Sequence, residues 1–260
     1  MDIRRALGSD YEAFAALFPE LVSGDPTPDR ARWASEIAPH AWLATRGDDV
    51  LGYIFLQRLA REVYVRHVVV APGARGCGTG RALMEFVRAQ FRDLDRWRLN
   101  VKPENAAAIG LYRAMGMTVA HASTAMRATW DQLSALPAPA RGVVAGDLEP
   151  VLDGAAERAM DLPLGQLAHA RSTGRRVVCA IDGAEVAALA VFDPGFPGAF
   201  PFRARTVPHA RALCDGLRPH ARQDYLNFVV EGDPGLRQGM LDAGATVRME
   251  TLHMVGTLRD

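Results

Sequence analysis

The sequence predicts a mixed α/β (α+β) chain made of two successive copies of one order of strands and helices. Three features predict it. β-branched strand patterns alternate with helical 3.6-residue periodicity, a proline-rich break falls near the middle, and the order of elements recurs after that break.

Taken in order, Ile3 to Ala6 reads as a short strand, and Ser9-Asp10 caps a helix with Phe14, Leu17 and Phe18 on one face. Pro26 and Pro28 interrupt the chain before a second helix through Trp33 and Ile37. Two strands, Ala41 to Thr45 and Val50 to Leu56, flank the turn residues Arg46-Gly47-Asp48-Asp49. Glu62 to Val70 is a further strand, ended by Pro72 and Gly73. From Gly78 to Leu94 the pattern is an amphipathic helix, with Leu83, Val87, Phe91 and Leu94 on one side and Arg81, Glu85, Arg88 and Arg92 on another. Trp97 to Val101 is a strand, Asn105 to Met115 a helix, and Met117 to Ala128 a strand.

Residues 135–141, Ala-Leu-Pro-Ala-Pro-Ala-Arg, read as a linker between domains at 1–133 and 142–260. Beyond it, Gly146-Asp147 precedes a helix as Ser9-Asp10 does. Val177 to Ile181 and Val186 to Phe192 repeat the hairpin around Asp182-Gly183. Tyr225 to Val230, a helix over Leu236 to Ala243 and Val247 to Val255 repeat the closing strand, helix and strand. The spacing from Asp233 to Gly244 equals that from Asn105 to Gly116.

At 260 residues, 49% of them hydrophobic, the chain can bury substantial cores, and disorder does not dominate. Acidic and basic residues balance at 30 each, which offers no net field to nucleic acid or an anionic membrane. Lys102 is the sole lysine, an arginine bias that fits a GC-rich genome. Cys77, Cys179 and Cys214 make neither a metal-ligand cluster nor a disulfide framework. With no apolar run of membrane-spanning length, the expectation is a cytoplasmic protein without membrane, nucleic-acid or metal partners, as monomer or homodimer. The four tryptophans, at 33, 42, 97 and 130, are expected in cores or domain contacts.

Chemistry concentrates in Val68-Val69-Val70-Ala-Pro-Gly-Ala-Arg75-Gly76-Cys77-Gly78-Thr79-Gly80-Arg81. A strand ends, a glycine-rich turn follows, and a helix opens on the turn. Amides at a helix start have no intrahelical acceptor, and glycines remove the Cβ atoms that would hold a phosphate away. The stretch therefore predicts a diphosphate cradle. A Walker loop would need lysine after the last glycine, where Arg81 stands. A dinucleotide fingerprint would begin directly after the first strand of a parallel unit, whereas Gly76, Gly78 and Gly80 lie mid-domain.

The arrangement Arg75-x-x-Gly78-x-Gly80, preceded by Val68 to Val70 and followed by Ala82-Leu83-Met84, resembles the signature of the GNAT acetyltransferase superfamily. Downstream, Asn105-x-x-Ala108-x-x-Leu111-Tyr112-x-x-x-Gly116 is similar to that family's second motif. The resemblance covers approximately residues 1 to 130 and is strongest from Val68 to Gly116. The resemblance implies a mixed, mostly antiparallel sheet, splayed where the strands at Val68 and Val101 diverge, with acetyl-CoA in the gap. It implies backbone pairing of the pantetheine arm with Val68, Val69 and Val70, and the diphosphate on Arg75, Gly76, Cys77, Gly78, Thr79, Gly80 and Arg81. Cys77 would contribute backbone only.

Transfer to a primary amine needs a neutral amine, a stabilised oxyanion and a proton for the leaving thiolate. The resemblance makes Tyr112 the proton donor, with Asn105 either bonding the pantetheine arm or capping its helix. For the base, Glu62, Tyr64 and Arg66 share one face of their strand by simple alternation, and His67 points to the other. Arg66 stands where several relatives carry an acid. Glu62 acting through water is the first candidate and His67 the second.

The second half lacks the cradle. Pro201-Phe-Arg-Ala-Arg-Thr-Val-Pro-His209 has no glycine and two prolines, and Met240 stands where Tyr112 stands relative to Gly116. It resembles the silent half of tandem GNAT proteins, with Phe196, Phe200 and Phe202 expected either to wall a substrate pocket or to accompany a purely stabilising role. The function expected is N-acetyl transfer from acetyl-CoA to an amine. The alternative is an acyl-CoA-binding sensor without catalysis.

Overall fold

The computed structural model describes residues 1–22, 24, 26–196 and 198–259. The chain separates into two compact units, Met1–Ala120 with His253–Asp260, and His121–Leu252. The change of unit falls between Ala120 and His121, and the proline-rich segment 135–141 lies within the second unit.

The first unit runs β1 (Asp2–Arg5), α1 (Tyr11–Leu17), α2 (Arg30–Arg32), β2 (Ala41–Arg46), β3 (Asp49–Arg58), β4 (Glu62–Val70), α3 (Thr79–Gln90), β5 (Arg96–Val101) and α4 (Ala106–Ala114). Its strands lie in the order β1-β2-β3-β4-β5, antiparallel except for the parallel pair β4–β5. The entry to α1 is fixed by Asp10, whose carboxylate accepts the Leu7 amide at 2.7 Å and pairs with Arg4 at 2.8 Å. The second helix is a single α turn that widens into a π turn over Trp33–Ile37. That turn presents Trp33 to Phe14, the two rings stacking at 4.3 Å.

Each face of this sheet has its own packing layer. Phe14, Trp33, Leu43, Tyr53 and Val69 are buried together on the α1 side. Trp42 meets Phe86 and Phe91 of the α3 region on the other. Trp33, Trp42 and Trp97 are all buried in this unit, as expected of core tryptophans.

One irregularity decides the faces of β4. Phe55 pairs with His67, but Leu56 pairs with Val65, so Arg66 is an extra residue bulged out of the ladder. Simple alternation had put His67 opposite to Tyr64. The bulge corrects that reading: His67 faces the side of Phe55, and Tyr64, paired with Gln57, faces the same side.

The second unit begins in β6 (Thr118–Thr129) and continues through α5 (Trp130–Ser134), β7 (Val144–Asp147), α6 (Asp153–Ala159), α7 (Gln166–Ser172), β8 (Arg176–Asp182) and β9 (Glu185–Asp193). It then runs β10 (Gly198–Ala204), α8 (Val207–Leu217), β11 (Tyr225–Glu231), α9 (Pro234–Asp242) and β12 (Thr246–Thr257). Strand order β7-β8-β9-β10-β11 repeats the first unit, again with one parallel pair, β10–β11.

The helix α9 repeats α4 in detail. Asp233 caps it by accepting from Leu236 at 2.8 Å, as Asn105 accepts from Ala108 at 3.1 Å. Both helices close on a glycine with positive φ, Gly116 at 83° and Gly244 at 94°. Trp130 and Phe202 are buried in this unit's core, where Phe202 lies 5.2 Å from Phe228. Phe202 is thus a packing residue rather than a pocket wall, while Phe196 is 40% exposed.

The final strands are exchanged. β6 pairs antiparallel with β11 from Thr129↔Tyr225 to Ser123↔Glu231 and so completes the second unit. The end of β12, from His253, belongs to the first unit, beside β5. The Leu258 amide bonds the Asp95 carbonyl at 3.0 Å, and a methyl group on Gly256 would fall 2.4 Å from Trp97 Nε1.

Candidate functional site

Where β4 and β5 part, a backbone edge is left over. Their parallel register runs from Glu62↔Arg96 to Val65↔Leu99, yet β4 continues to Val70 and β5 to Val101. Beyond the last pair, Val68, Val69 and Val70 are matched on the β3 side only, to Ile54, Tyr53 and Gly52. This is the divergence implied by the sequence motifs.

The glycine turn stands at the end of that edge. Gly76 and Gly78 have φ of 74° and 83°, a backbone region that glycine enters without strain. A Cβ built on either would meet no atom within 4 Å, so both face open space. Gly78 is the N-cap of α3 and supplies no side chain, and the first helical bond is from Ala82 to the Gly78 carbonyl at 2.9 Å. The amides of Thr79, Gly80 and Arg81 therefore have no intrahelical acceptor. Thr79 contributes its amide only, because its buried hydroxyl bonds back to Ala74 at 3.2 Å. Cys77 and Arg81 are exposed. The Arg75 side chain braces the turn from below, donating to the Val70 carbonyl at 3.2 Å and pairing with Glu20 at 2.5 Å. A diphosphate fits such a turn: the donors are oriented and nothing fills the space before them.

The second motif lies against the first. Leu111 Cδ2 and Val70 Cγ2 are the atoms nearest to a Cβ placed on Gly80, at 3.4 and 3.6 Å. Tyr112, next along α4, is buried, and burial pushes its phenol up to about 12. An ordinary phenol is already protonated at neutral pH, and the shift makes Tyr112 a weaker acid still. Asn105 spends its side-chain oxygen on the helix cap, leaving its amide nitrogen for other partners.

The two base candidates are placed very differently from an exposed proton acceptor. Glu62 is 7% exposed and pairs with Arg98 at 2.8 Å, while its other oxygen is buried without a hydrogen bond. His67 is ringed by Phe55 at 5.2 Å, Phe18 at 5.7 Å and Tyr53 at 6.0 Å, with Nδ1 3.3 Å from the Tyr53 hydroxyl. Burial, aided by the charge on Arg66, pulls His67 down to about 3. The lowered basicity of this half-buried ring favours a packing role over proton transfer. Nothing in the residue pattern pointed to Arg98 as the partner of Glu62, because the pair forms through the parallel β4–β5 register.

The matching place in the second unit is closed. Pro208 removes one amide from the first turn of α8, and Thr206 caps another by accepting from His209 at 3.4 Å. The β10–β11 register ends at Ala199↔Phe228, and beyond it Arg203 and Glu231 pair at 2.6 Å across the strands. Met240, at the position of Tyr112, is fully buried.

Residues 9–117 match the model of the Acetyltransferase (GNAT) family. Along its whole length the chain is similar to a GCN5-related N-acetyltransferase from Sphaerobacter thermophilus (TM-score 0.68, 18% identity, covering 100% of this chain and 96% of that one). A putative acetyltransferase from Pyrococcus horikoshii aligns with TM-score 0.74 and 15% identity over 98% of this chain and 89% of that one. A tandem GNAT protein from the clavulanic acid biosynthesis pathway aligns with TM-score 0.61 and 17% identity over 100% and 99%. The family match lies within the first unit, and the three structures, all under 20% identical, share the fold of the chain over its length.

Proposed function

We propose that this protein is an N-acetyltransferase that moves an acetyl group from acetyl-CoA to a primary amine by direct attack in a ternary complex. The observation that carries the reading is the open glycine turn at the start of α3, set at the end of the one-sided Val68–Val70 edge. Bound acetyl-CoA supplies an activated acetyl thioester. The amides from Gly76 to Arg81 hold its diphosphate, and Val68 to Val70 pair with its pantetheine arm. An amide near Val68 or Val69 polarises the thioester carbonyl. Tyr112, a protonated phenol at neutral pH, gives its proton to the departing thiolate, and Asn105 steadies the arm through its amide nitrogen. Glu62 acting through water is retained as the first base candidate, ahead of His67, whose burial lowers its basicity.

In this reading the second unit is catalytically silent.

Thiol release from acetyl-CoA, measured with spermidine, kanamycin, L-methionine, Nα-acetyl-lysine and an alanine-initiated peptide, tests the proposal. Amine-dependent release with at least one of these supports it. Tight acetyl-CoA binding with no release above background for any amine would favour a sensor instead.

A further inference from the structure

A hydrogen-bonded chain of three side chains crosses the first unit where β4 and β5 part. Tyr64 lies opposite Arg98, one residue before the register ends at Val65↔Leu99. Asn100, one residue past that last pair, donates its Nδ2–H to the Tyr64 hydroxyl at 2.9 Å. The Asn100 Oδ1 lies 2.7 Å from Nδ1 of His253, which comes from the exchanged strand β12 and is 3% exposed. The His253 ring stands at 89° to that of Tyr64, with centroids 6.2 Å apart.

The bonding fixes the chemistry of each member. Asn100 uses its amino group on Tyr64, so its carbonyl needs a donor, and His253 therefore carries the proton on Nδ1. Polar side chains taken out of water cost stability unless bonded, and here each of the three finds a partner. Together with the Arg66 guanidinium 4.7 Å over its face, the chain of three holds the Tyr64 ring at the apex of the gap.

The faces then separate donor from acceptor. Val70 meets Gly80 on the α3 side of the sheet, where the cradle lies. Tyr64 faces the other side, with Tyr53, Phe55 and His67. Direct attack needs the amine to come to the carbonyl from a side the cofactor does not fill.

We propose that Tyr64 touches the acceptor amine at this apex and that Asn100 and His253 are positioning residues for it. The proposal rests on the acetyltransferase reading, because the apex matters only if the thioester lies along Val68–Val70.

The test compares the full-length protein with Tyr64→Phe, His253→Leu, His253→Gln and the double variant Tyr64→Phe/His253→Leu. The acceptors are the five amines named above, with acetyl-CoA affinity measured separately by calorimetry. The proposal predicts that Tyr64→Phe and His253→Leu each raise the acceptor KM about 3- to 10-fold, the value of one hydrogen bond, with acetyl-CoA Kd unchanged. The double variant is no worse than the poorer single one, since both break the same chain. His253→Gln, whose amide can still donate to Asn100, restores the KM to within about twofold of the original. An unchanged acceptor KM in an active protein, or fully additive losses in the double variant, overturns the proposal alone. Wild type that binds acetyl-CoA and acetylates none of the amines overturns the acetyltransferase reading and this inference with it.

Discussion

Leu111 lies 3.4 Å from where a methyl group on Gly80 would stand. That contact packs the start of the cradle helix against α4, the helix that carries Tyr112. The diphosphate grip and the proposed acid are therefore set by one close approach of the two helices.

Gly78→Ala tests the grip. Alanine at a φ of 83° costs about 1–2 kcal/mol of strain and puts a methyl group at the mouth of the turn. Acetyl-CoA affinity is expected to fall at least about tenfold, or 1.4 kcal/mol. Gly47→Ala is the control: at a φ of 58° in the β2–β3 turn it strains the chain similarly, and calorimetry should find acetyl-CoA binding unaltered. Equal effects from both would mean that strain, not the cradle, governs binding.

Tyr112→Phe separates acid from packing. The ring stays and only the hydroxyl goes, so melting temperature and acetyl-CoA Kd should hold. Loss of a general acid lowers kcat by about 100-fold or more. With burial holding the phenol at about 12, the pH–rate profile of the native protein should show no loss of this acid near 10, where an ordinary tyrosine ionises. A kcat within twofold of wild type removes Tyr112 from the mechanism.

His67 predicts acid sensitivity of the fold. Its folded value is depressed from 6.5 to about 3, so below 6.5 the unfolded chain takes up a proton that the folded chain refuses. Stability from this site is complete above pH 6.5 and drains away as the pH falls toward 3. His67→Phe, suited to the aromatic ring of neighbours, should flatten the melting-temperature curve across that window while leaving kcat near its original value. A large drop in kcat with unchanged acetyl-CoA binding would restore His67 as a proton acceptor.

The exchanged strand predicts that the first unit fails without the last residues of the chain. A chain ending at Leu252 lacks the segment beside β5 and should lose acetyl-CoA binding, although no cradle residue is removed. Gly256→Ala makes the point more gently, forcing a methyl group against Trp97 Nε1 and Met117 Cγ. Overpacking of this kind costs about 1–3 kcal/mol, readable as a shift in urea midpoint.

Much of this was legible in the residues. Glu62–Val70 has the bounds expected from its β-branched run, and α3 and α4 lie where their periodicity and the Asn105 and Gly116 signals put them. Two things were not legible. The bulge at Arg66 inserts one residue without any local marker, and it reversed the face of His67 relative to Tyr64. The strand exchange is a choice between two partners of similar pattern, β6 and β12, which propensity cannot distinguish. In the second copy, β10 and α8 were hidden because Pro201 and Pro208 read as breakers; one sits in a strand and the other at a helix start, where its missing amide does no harm.

Backbone amide NMR during a coenzyme A titration tests the central claim most directly. The account predicts saturable shifts at Gly76 to Arg81 with coenzyme A, and none there with pantetheine, which lacks the diphosphate. Shifts confined to other residues, or equal shifts with both compounds, would contradict it.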